Sequence, residues 1–279
     1  MVLKVRKILF FLSFFFLSLS AVNAQYISII PSIDITFISP ELIEVRVSAA
    51  NHGDSYACRV FSEIKLGNKS SATNLILSIP PNASHTFVHI LKVKELGLKS
   101  KGTYPICAII NYQDEKFYPF SMPCAVLFSY YAERSFEQFL NNVWTQLEDI
   151  EDSNVIKIKI INTESIELLG SIELLLPEEL YAFDKKQSFH LPRLGDSFEI
   201  SFNVKNKGAL PGGEYNVFAI AQFDIEGQHH TEIFPNKIKI KGSLVKKNNL
   251  GIILPSILFL FILFIGTIFF EIFKGKPLW

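Results

Sequence analysis

Three cysteines, Cys58, Cys107 and Cys124, are the residues of this sequence whose chemistry depends most on the compartment. In an exported chain they can oxidise to a disulfide, and an odd number leaves one thiol free or paired between chains. We expect Cys107 to pair with Cys58 or with Cys124, because counting strands places all three on neighbouring strands of one sheet. Spacing does not decide the pairing, and three reduced core cysteines are the alternative.

Two histidine pairs are the candidate metal ligands. His85 and His89 lie four residues apart, which separates them by about 13 Å on a β-strand. That distance is too long for one ion, which needs its ligand nitrogens at about 2 Å. His229 and His230 are adjacent, so they point to opposite faces of a strand, and we expect them on a solvated edge strand. The sequence predicts no metal site and no cofactor.

Catalytic motifs are missing from the sequence. It contains no G-x-S-x-G, no P-loop and no H-E-x-x-H. The acidic pairs Glu148-Asp149 and Glu151-Asp152 could supply an acid and a base, but they lie in a polar segment that is typical of a solvated charge run. We therefore expect a protein that is not an enzyme.

Composition narrows the class of protein. The 279 residues carry 27 basic and 27 acidic side chains, and this balance argues against a nucleic-acid partner. Hydrophobic residues make up 49% of the chain, with 26 Phe, which is more than an average soluble domain contains. The excess lies at the two ends of the chain.

The N-terminal excess is typical of a secretory signal peptide, residues 1–24. Three basic residues precede the apolar run Ile8 to Leu19, and Val22-Asn23-Ala24 is a plausible cleavage site. An uncleaved anchor helix is the alternative. The segment between the two apolar ends, residues 25–249, carries 22 basic and 26 acidic residues, a net charge of −4.

The C-terminal excess predicts a transmembrane helix over residues 250–270. These 21 residues contain no charge, and a helix of that length spans about 30 Å, the thickness of a bilayer core. Residues 243–249 would form a juxtamembrane linker and residues 271–279 a cytoplasmic tail. With a cleaved signal, the prediction is a single-pass type I membrane protein with a periplasmic or extracellular ectodomain.

The ectodomain contains an internal repeat. Nine identical residues recur 111 positions later in the chain. The pairs are Asn51 and Asn162, Pro81 and Pro192, Phe87 and Phe198, Val93 and Val204, Lys94 and Lys205, Gly102 and Gly213, Tyr104 and Tyr215, Ala108 and Ala219, and Ile109 and Ile220. A constant offset predicts two domains of one type, at residues 25–128 and 143–242, with a linker at 129–142.

Within each half the hydrophobic period is two, as in Leu42 to Ser48 and in Phe198 to Val204. This alternation is typical of antiparallel strands with one buried face. Six or seven short strands in about 100 residues predict an all-β fold with two tandem Ig-like β-sandwiches. Tyr104 and Tyr215 each follow a turn, where they form either a tyrosine corner or plain core contacts.

One segment fits two structures. Phe136, Phe139, Leu140, Val143, Leu147 and Ile150 have the spacing of an amphipathic helix. The repeat offset instead aligns residues 144–148 with the first strand of the first domain. We expect a short helix or turn in the linker that leads into an edge strand.

The order of these features resembles that of cell-surface Ig-like modules. A strand ending in Asn, an apolar strand leading to Pro, a Phe-initiated strand and a final G-x-Y-x-x-x-A-I segment occur at about residues 33–127 and 143–241. The pattern resembles the CARDB type and the NEW3 (α-galactosidase-associated) type, which are repeated spacers in secreted prokaryotic proteins. The resemblance implies adhesion, spacing or accessory binding, and it implies no catalytic residue.

The sequence therefore predicts a membrane-anchored, non-enzymatic cell-envelope protein that presents two Ig-like domains to another envelope protein or a glycan. Two alternatives stay open. One is a periplasmic assembly factor that resembles a pilus chaperone. The other is an accessory subunit of a membrane complex, docked through the helix.

Overall fold

The structure is a computed structural model that describes residues 26–98, 100–131, 138–146 and 149–242. Its elements are strands, apart from one 3-10 turn at Val93–Glu95. The strands of the first half are β1 Ile29–Ser39, β2 Leu42–Asn51, β3 Ala57–Leu66, β4 Lys69–Ala72, β5 Ile76–Ile79, β6 Ser84–Lys92, β7 Gly102–Gln113 and β8 Pro119–Tyr130. Those of the second half are β9 Leu140–Gln146, β10 Ser153–Asn162, β11 Leu168–Leu175, β12 Leu180–Ala182, β13 Lys186–Leu191, β14 Ser197–Asn206, β15 Glu214–Ile225 and β16 Gln228–Lys239.

Each half is a sandwich of two antiparallel sheets. In the first half, β1, β2 and β6 form one sheet, while β3 and β7 are central in the other, with β8 on one side and β4 and β5 on the other side. In the second half, β12, β14, β10 and β9 face β13, β11, β15 and β16. This strand order is that of an Ig-like sandwich, so the all-β, Ig-like prediction is confirmed at the level of the fold.

The predicted alternation explains the burial of the central strands. Along β2, Val45, Val47 and Ala49 are fully buried, whereas Arg46 between them is exposed. The inward residues of each half form a hydrophobic core of their own, one within residues 29–128 and one within residues 139–240. Burial of such side chains is the main source of stability for a sandwich of this kind.

The strand pairing follows the same offset as the sequence repeat. Ile29 of β1 pairs with Asn51 of β2, and Leu140 of β9 pairs with Asn162 of β10. Both residues of the second pair lie 111 positions after their counterparts. The two halves therefore begin with the same strand pair in the same register.

The segment with helical spacing forms a strand where the structure describes it. Leu140–Gln146 is β9, the edge strand that pairs with β10. Leu140 is fully buried and Val143 is half-exposed, as alternation along a strand requires. The short helix or turn was expected in the linker 129–142, of which residues 132–137 lie outside the described residues, and residues 140–142 at its end are already part of β9. The edge-strand part of the expectation is confirmed.

Several predictions concern residues that the structure does not describe. The signal peptide 1–24, the linker 243–249, the transmembrane helix 250–270 and the tail 271–279 lie outside the described residues. Among the residues that are described, no helix is long and apolar enough to cross a membrane. The predicted boundaries at 25–128, 129–142 and 143–242 stay predictions, with β8 ending at Tyr130 and β9 beginning at Leu140.

Candidate functional site: the junction of the two sandwiches

The two sandwiches share one sheet, because β16 of the second half meets β7 of the first half in parallel. His229 pairs with Gly102, and the His229 N–H donates to the Lys101 carbonyl at 2.8 Å. Beside this pair, the Thr231 N–H donates to Thr103 Oγ1 at 2.9 Å, and Thr231 Oγ1 donates to the Thr103 carbonyl at 2.7 Å. Both threonines are buried, so these bonds form without competition from water.

Gly102 is the repeat marker that the junction requires. Its φ is 145°, and a Cβ at this position would lie 1.9 Å from the His229 carbonyl oxygen. Only glycine allows the two backbones to approach so closely. Its counterpart Gly213 has a different environment, where a Cβ would meet Tyr215 and the Leu210 carbonyl.

A carboxylate closes the other side of the junction. Glu179, in the loop before β12, accepts the Ser121 N–H on Oε1 at 2.8 Å and the Ser121 hydroxyl on Oε2 at 2.5 Å. Ser121 Oγ in turn accepts the Glu178 N–H at 2.6 Å, and Tyr118 Oη donates to the Gly208 carbonyl. Burial raises the pKa of Glu179, and the bonds from Ser121 partly oppose this rise.

A cleft of about 880 Å³ lies at the junction, lined by residues of both halves. Tyr104 and His229 are among the lining residues, and their rings stack with centroids 4.5 Å apart. His229 Nδ1 lies 2.8 Å from Asp224 Oδ1. Lys65 Nζ lies 3.6 Å from Glu173 Oε1 across the cleft. The walls thus offer charged side chains of both signs, which suit the binding of a polar ligand.

Cys107 also lines this cleft. Burial, and secondly the negative charge of Glu173, raises the pKa of its thiol to about 12. At neutral pH the side chain is a protonated thiol, a form that is a poor nucleophile and a poor metal ligand.

The three cysteines are free thiols in the structure. Cys107 and Cys124 lie on the neighbouring strands β7 and β8, but Cys107 pairs with Ala125 and Cys124 with Ala108, so their side chains point to opposite faces of the sheet. Cys58 pairs with Gln113, six residues from Cys107, a separation of about 20 Å. The expected neighbouring strands are present, and this geometry disfavours both expected pairings.

The marker asparagines occupy equivalent buried positions. Asn51 donates from Nδ2 to the carbonyls of Ser55 and Ile79 at 2.8 and 3.2 Å, and its Oδ1 accepts the Gly53 N–H at 3.0 Å. Asn162 repeats these contacts with the carbonyls of Ile166 and Leu191 at 2.7 and 3.2 Å, and with the Glu164 N–H at 2.9 Å. Each side chain holds together three segments of its own sandwich, which is a structural role.

The marker tyrosines differ in how they use their hydroxyl groups. Tyr104 Oη donates to the Ser100 carbonyl at 2.8 Å, which is the contact of a tyrosine corner. Tyr215 Oη instead accepts the Leu210 N–H at 2.7 Å. Both rings contact the core of their own half.

The histidines are dispersed. His89 is buried between Ser71, at 3.1 Å from Nδ1, and Ser62, at 3.2 Å from Nε2. His229 and His230 face opposite sides of β16, as predicted, but they are not on a solvated edge. His229 is at the junction, and His230 stacks on Phe223. In the part of the chain that the structure describes, no three His, Cys, Asp or Glu residues are grouped to hold a metal ion.

The residues that make the junction, Ser121, Glu179 and Thr231, were not identified from the sequence. Glu178 and Glu179 follow Pro177, a pattern typical of a solvated turn, so nothing local marks Glu179 as buried. A second buried acid, Glu232, falls in the inward phase of β16, between His230 and Phe234. Charged residues on the apolar phase of a strand were the sign to look for.

Comparisons with known proteins give only a distant likeness. No protein-family profile and no curated protein sequence matches the chain. Among solved structures, red sea bream transglutaminase is 11% identical, with a TM-score of 0.27 over 76% of this chain and 31% of that protein. A Salmonella alpha-2-macroglobulin mutant is 9% identical, with a TM-score of 0.32 over 79% of this chain and 16% of that protein.

The native alpha-2-macroglobulin of E. coli is 8% identical, with a TM-score of 0.32 over 77% of this chain and 17% of that protein. The chain thus spans less than a third of the length of each of these proteins. Likeness at this level says nothing about activity, and the Ig-like assignment rests on the strand order of the two halves.

Proposed function

We propose that this chain is an exported, membrane-anchored and non-enzymatic module that binds another envelope protein or a glycan at the junction of its two Ig-like sandwiches. The junction carries the proposal, because buried hydrogen bonds on both of its sides join the halves and a mixed-charge cleft lies between them. The signal-like N-terminus and the apolar stretch 250–270 support export and anchoring. The resemblance to CARDB and NEW3 spacers supports presentation rather than catalysis.

The mechanism is recognition by a preformed surface. Side chains on strands are held more rigidly than side chains on loops, and a rigid site loses less entropy when it binds. The stacked rings of Tyr104 and His229 are mostly buried, so they fix the wall of the cleft and leave ligand contact to its exposed polar side chains. Glu63 and Lys186 are both exposed at the cleft, and they would select a ligand that carries complementary charged or polar groups.

The first experiment is a pull-down in mild detergent with the full-length protein beside the soluble fragment 25–249. We expect both to retain the same partner, and Lys186→Glu to lose it. Lys205→Glu is the matched control, since Lys205 is exposed on β14 outside the cleft. Equal loss in the two variants would contradict recognition at the cleft.

The two alternative functions are outcomes of the same experiment. A partner retained only by the full-length chain would favour an accessory subunit that docks through its helix. Capture of an exported subunit that aggregates when this protein is absent would favour an assembly factor. Either result would replace the proposal of a presenting module.

A further inference from the structure

The free edge of β6 differs from the corresponding edge of the second half. The Asn51 N–H donates to the Ala83 carbonyl, and the Val93 N–H donates to the Glu41 carbonyl, each at 2.9 Å, at the two ends of the β2–β6 ladder. Antiparallel pairing alternates, so odd-numbered residues of β6 bond to β2. The backbone groups of Thr86, Val88 and Ile90 therefore point away from the sheet, whose last strand is β6.

The corresponding edge on β14 is protected. The Asn162 N–H donates to the Asp196 carbonyl, so even-numbered residues of β14 bond to β10. The backbone groups of its odd-numbered residues therefore point away from β10. At this edge, Gln187 Nε2 donates to the Ser201 carbonyl at 2.7 Å. β12 pairs with the end of β14, and Glu199 places a charge on the outer face. Natural sheets protect their edges with such charges and cover.

Along β6 the exposed phase carries a charge at its end, Lys92, but the middle of the strand, at Val88 and Ile90, carries none. Val88 and Ile90, the counterparts of Glu199 and Ser201 by the 111-residue offset, are 48% and 50% exposed. No side chain of the described residues donates to the outward carbonyls of β6, as Gln187 does on β14. Two β-branched residues on an open edge form a template for a further strand.

We propose that β6 is a docking edge for β6 of a second copy of this chain. An antiparallel copy centred on His89 would align Val88 of each chain with Ile90 of the other, and Thr86 with Lys92. The outward backbone groups then fall opposite one another, as hydrogen bonding requires. Apolar side chains meet apolar ones and no two like charges face each other, so the surface is self-complementary, as a twofold interface must be.

The proposed pairing would join β1, β2 and β6 of both copies into one six-stranded sheet. The contact is a strand edge rather than a broad face, so we expect a weak dimer whose population rises with protein concentration. It does not depend on the cleft, and its failure would leave the proposed function untouched.

The test is sedimentation of the full-length protein in mild detergent over about 1 to 100 µM. We expect wild type to dimerise and Val88→Lys/Ile90→Lys to weaken dimerisation at least about tenfold, because like charges then face each other. The matched control, Ser201→Lys/Asn203→Lys, adds the same charge to exposed positions of β14 and should dimerise like wild type. Thermal melting checks folding, and Val88→Thr/Ile90→Thr is a milder second variant.

Hydrogen exchange gives a second readout. The amides of Thr86, Val88 and Ile90 should exchange more slowly as the wild-type concentration rises. A monomeric wild type, or a dimer that survives both β6 variants, would overturn the proposal. A monomer that captures another protein through β6, and loses it in the lysine variant, would assign the edge to a heterologous strand and also overturn homotypic pairing.

Discussion

The last strands of the two halves, β8 and β16, use one outward position in the same way. Asn111 pairs with Ser121 in β8, and Gln222, which lies 111 residues later, pairs with Thr231 in β16. Each of these hydroxyl groups bonds to the opposite half, Ser121 to Glu179 and Thr231 to the backbone of β7. A hydroxyl at a repeated position thus became the junction contact on both sides.

The next inward position differs between the halves. Met122 pairs with Ile110 in the first half, and Glu232 pairs with Ala221 in the second. Glu232 Oε1 accepts the N–H groups of Phe139 and Leu140 at 2.6 and 3.0 Å. The Glu232 side chain therefore fixes the start of β9, although burial of an acid there disfavours its charged form. The same fold tolerates either an apolar residue or an acid where its two sheets approach.

The largest effect should come from the feature that the halves share. Asn51→Ala removes four hydrogen bonds and Asn162→Ala removes three, and both changes leave buried carbonyls without donors. We expect each change to lower the free energy of unfolding by about 3 kcal/mol, measured by urea denaturation. The exposed Asn203→Ala is the control and should cost less than about 0.5 kcal/mol. A loss below about 1 kcal/mol in either half would contradict the equivalence of the two positions.

Glu232 should make the stability of the second half depend on pH in a way that Met122 does not in the first half. Burial raises the pKa of Glu232 to about 7 from 4.5, so the folded state favours the protonated acid. Its contribution to stability is present below pH 4.5 and is lost as the pH rises through about 7. Glu232→Gln removes this loss while its amide oxygen keeps both N–H partners.

We expect Glu232→Gln to stabilise the protein by about 2 kcal/mol at pH 8, with little change at pH 4.5. The free energy of unfolding, measured across this range for wild type and variant, would show the difference. Met122→Leu is the control at the equivalent position and should leave the pH profile unchanged. If the free energy of unfolding depends on pH in the same way in wild type and in Glu232→Gln, burial of Glu232 is not the source of that dependence.

His89 should give the first half the opposite response to acid. Burial between two serines lowers the pKa of His89 below 6.5, so its contribution to stability is present above pH 6.5 and is lost as the pH falls. We expect the free energy of unfolding of His89→Gln to fall less than that of wild type as the pH drops below 6.5, and to follow wild type near pH 7. His85→Gln, at the exposed end of β6, is the control. An equal fall in His89→Gln and in wild type would contradict the assignment.

The sequence was sufficient for the parts of the fold that depend on alternation and repetition. The period of two along Leu42–Asn51 and Ser197–Asn206 predicted strands that the structure contains. At Leu140 and Val143 the apolar spacing alone suggested a helix, whereas the repeat offset correctly predicted an edge strand, which pairs with β10. Strand pairing also determines whether the cysteines can form a disulfide. Side chains alternate along adjacent strands, so those of Cys107 and Cys124 point to opposite faces of the sheet.

The residues of the candidate site could not be predicted from alternation or repetition. Ser121 and Glu179 lie 58 residues apart in the chain, and Thr103 and Thr231 lie 128 apart. Neither pair has a local signal, because each contact depends on how the two sandwiches meet. Gly102 was found as a repeated residue, yet its reason became visible only when His229 was placed against it.

The smallest effect should be at the exposed rim of the junction. Lys65 Nζ and Glu173 Oε1 are 3.6 Å apart, but their side chains are 58% and 33% exposed, so solvent screens their attraction. We expect Lys65→Ala to change the free energy of unfolding by less than about 0.5 kcal/mol. Thr231→Val removes a buried hydroxyl group and leaves a side chain of similar size, so it should lower the free energy of unfolding by about 1 to 2 kcal/mol. Urea unfolding of both variants would compare them, and a larger loss from Lys65→Ala would mean that charge, rather than buried hydrogen bonding, joins the halves.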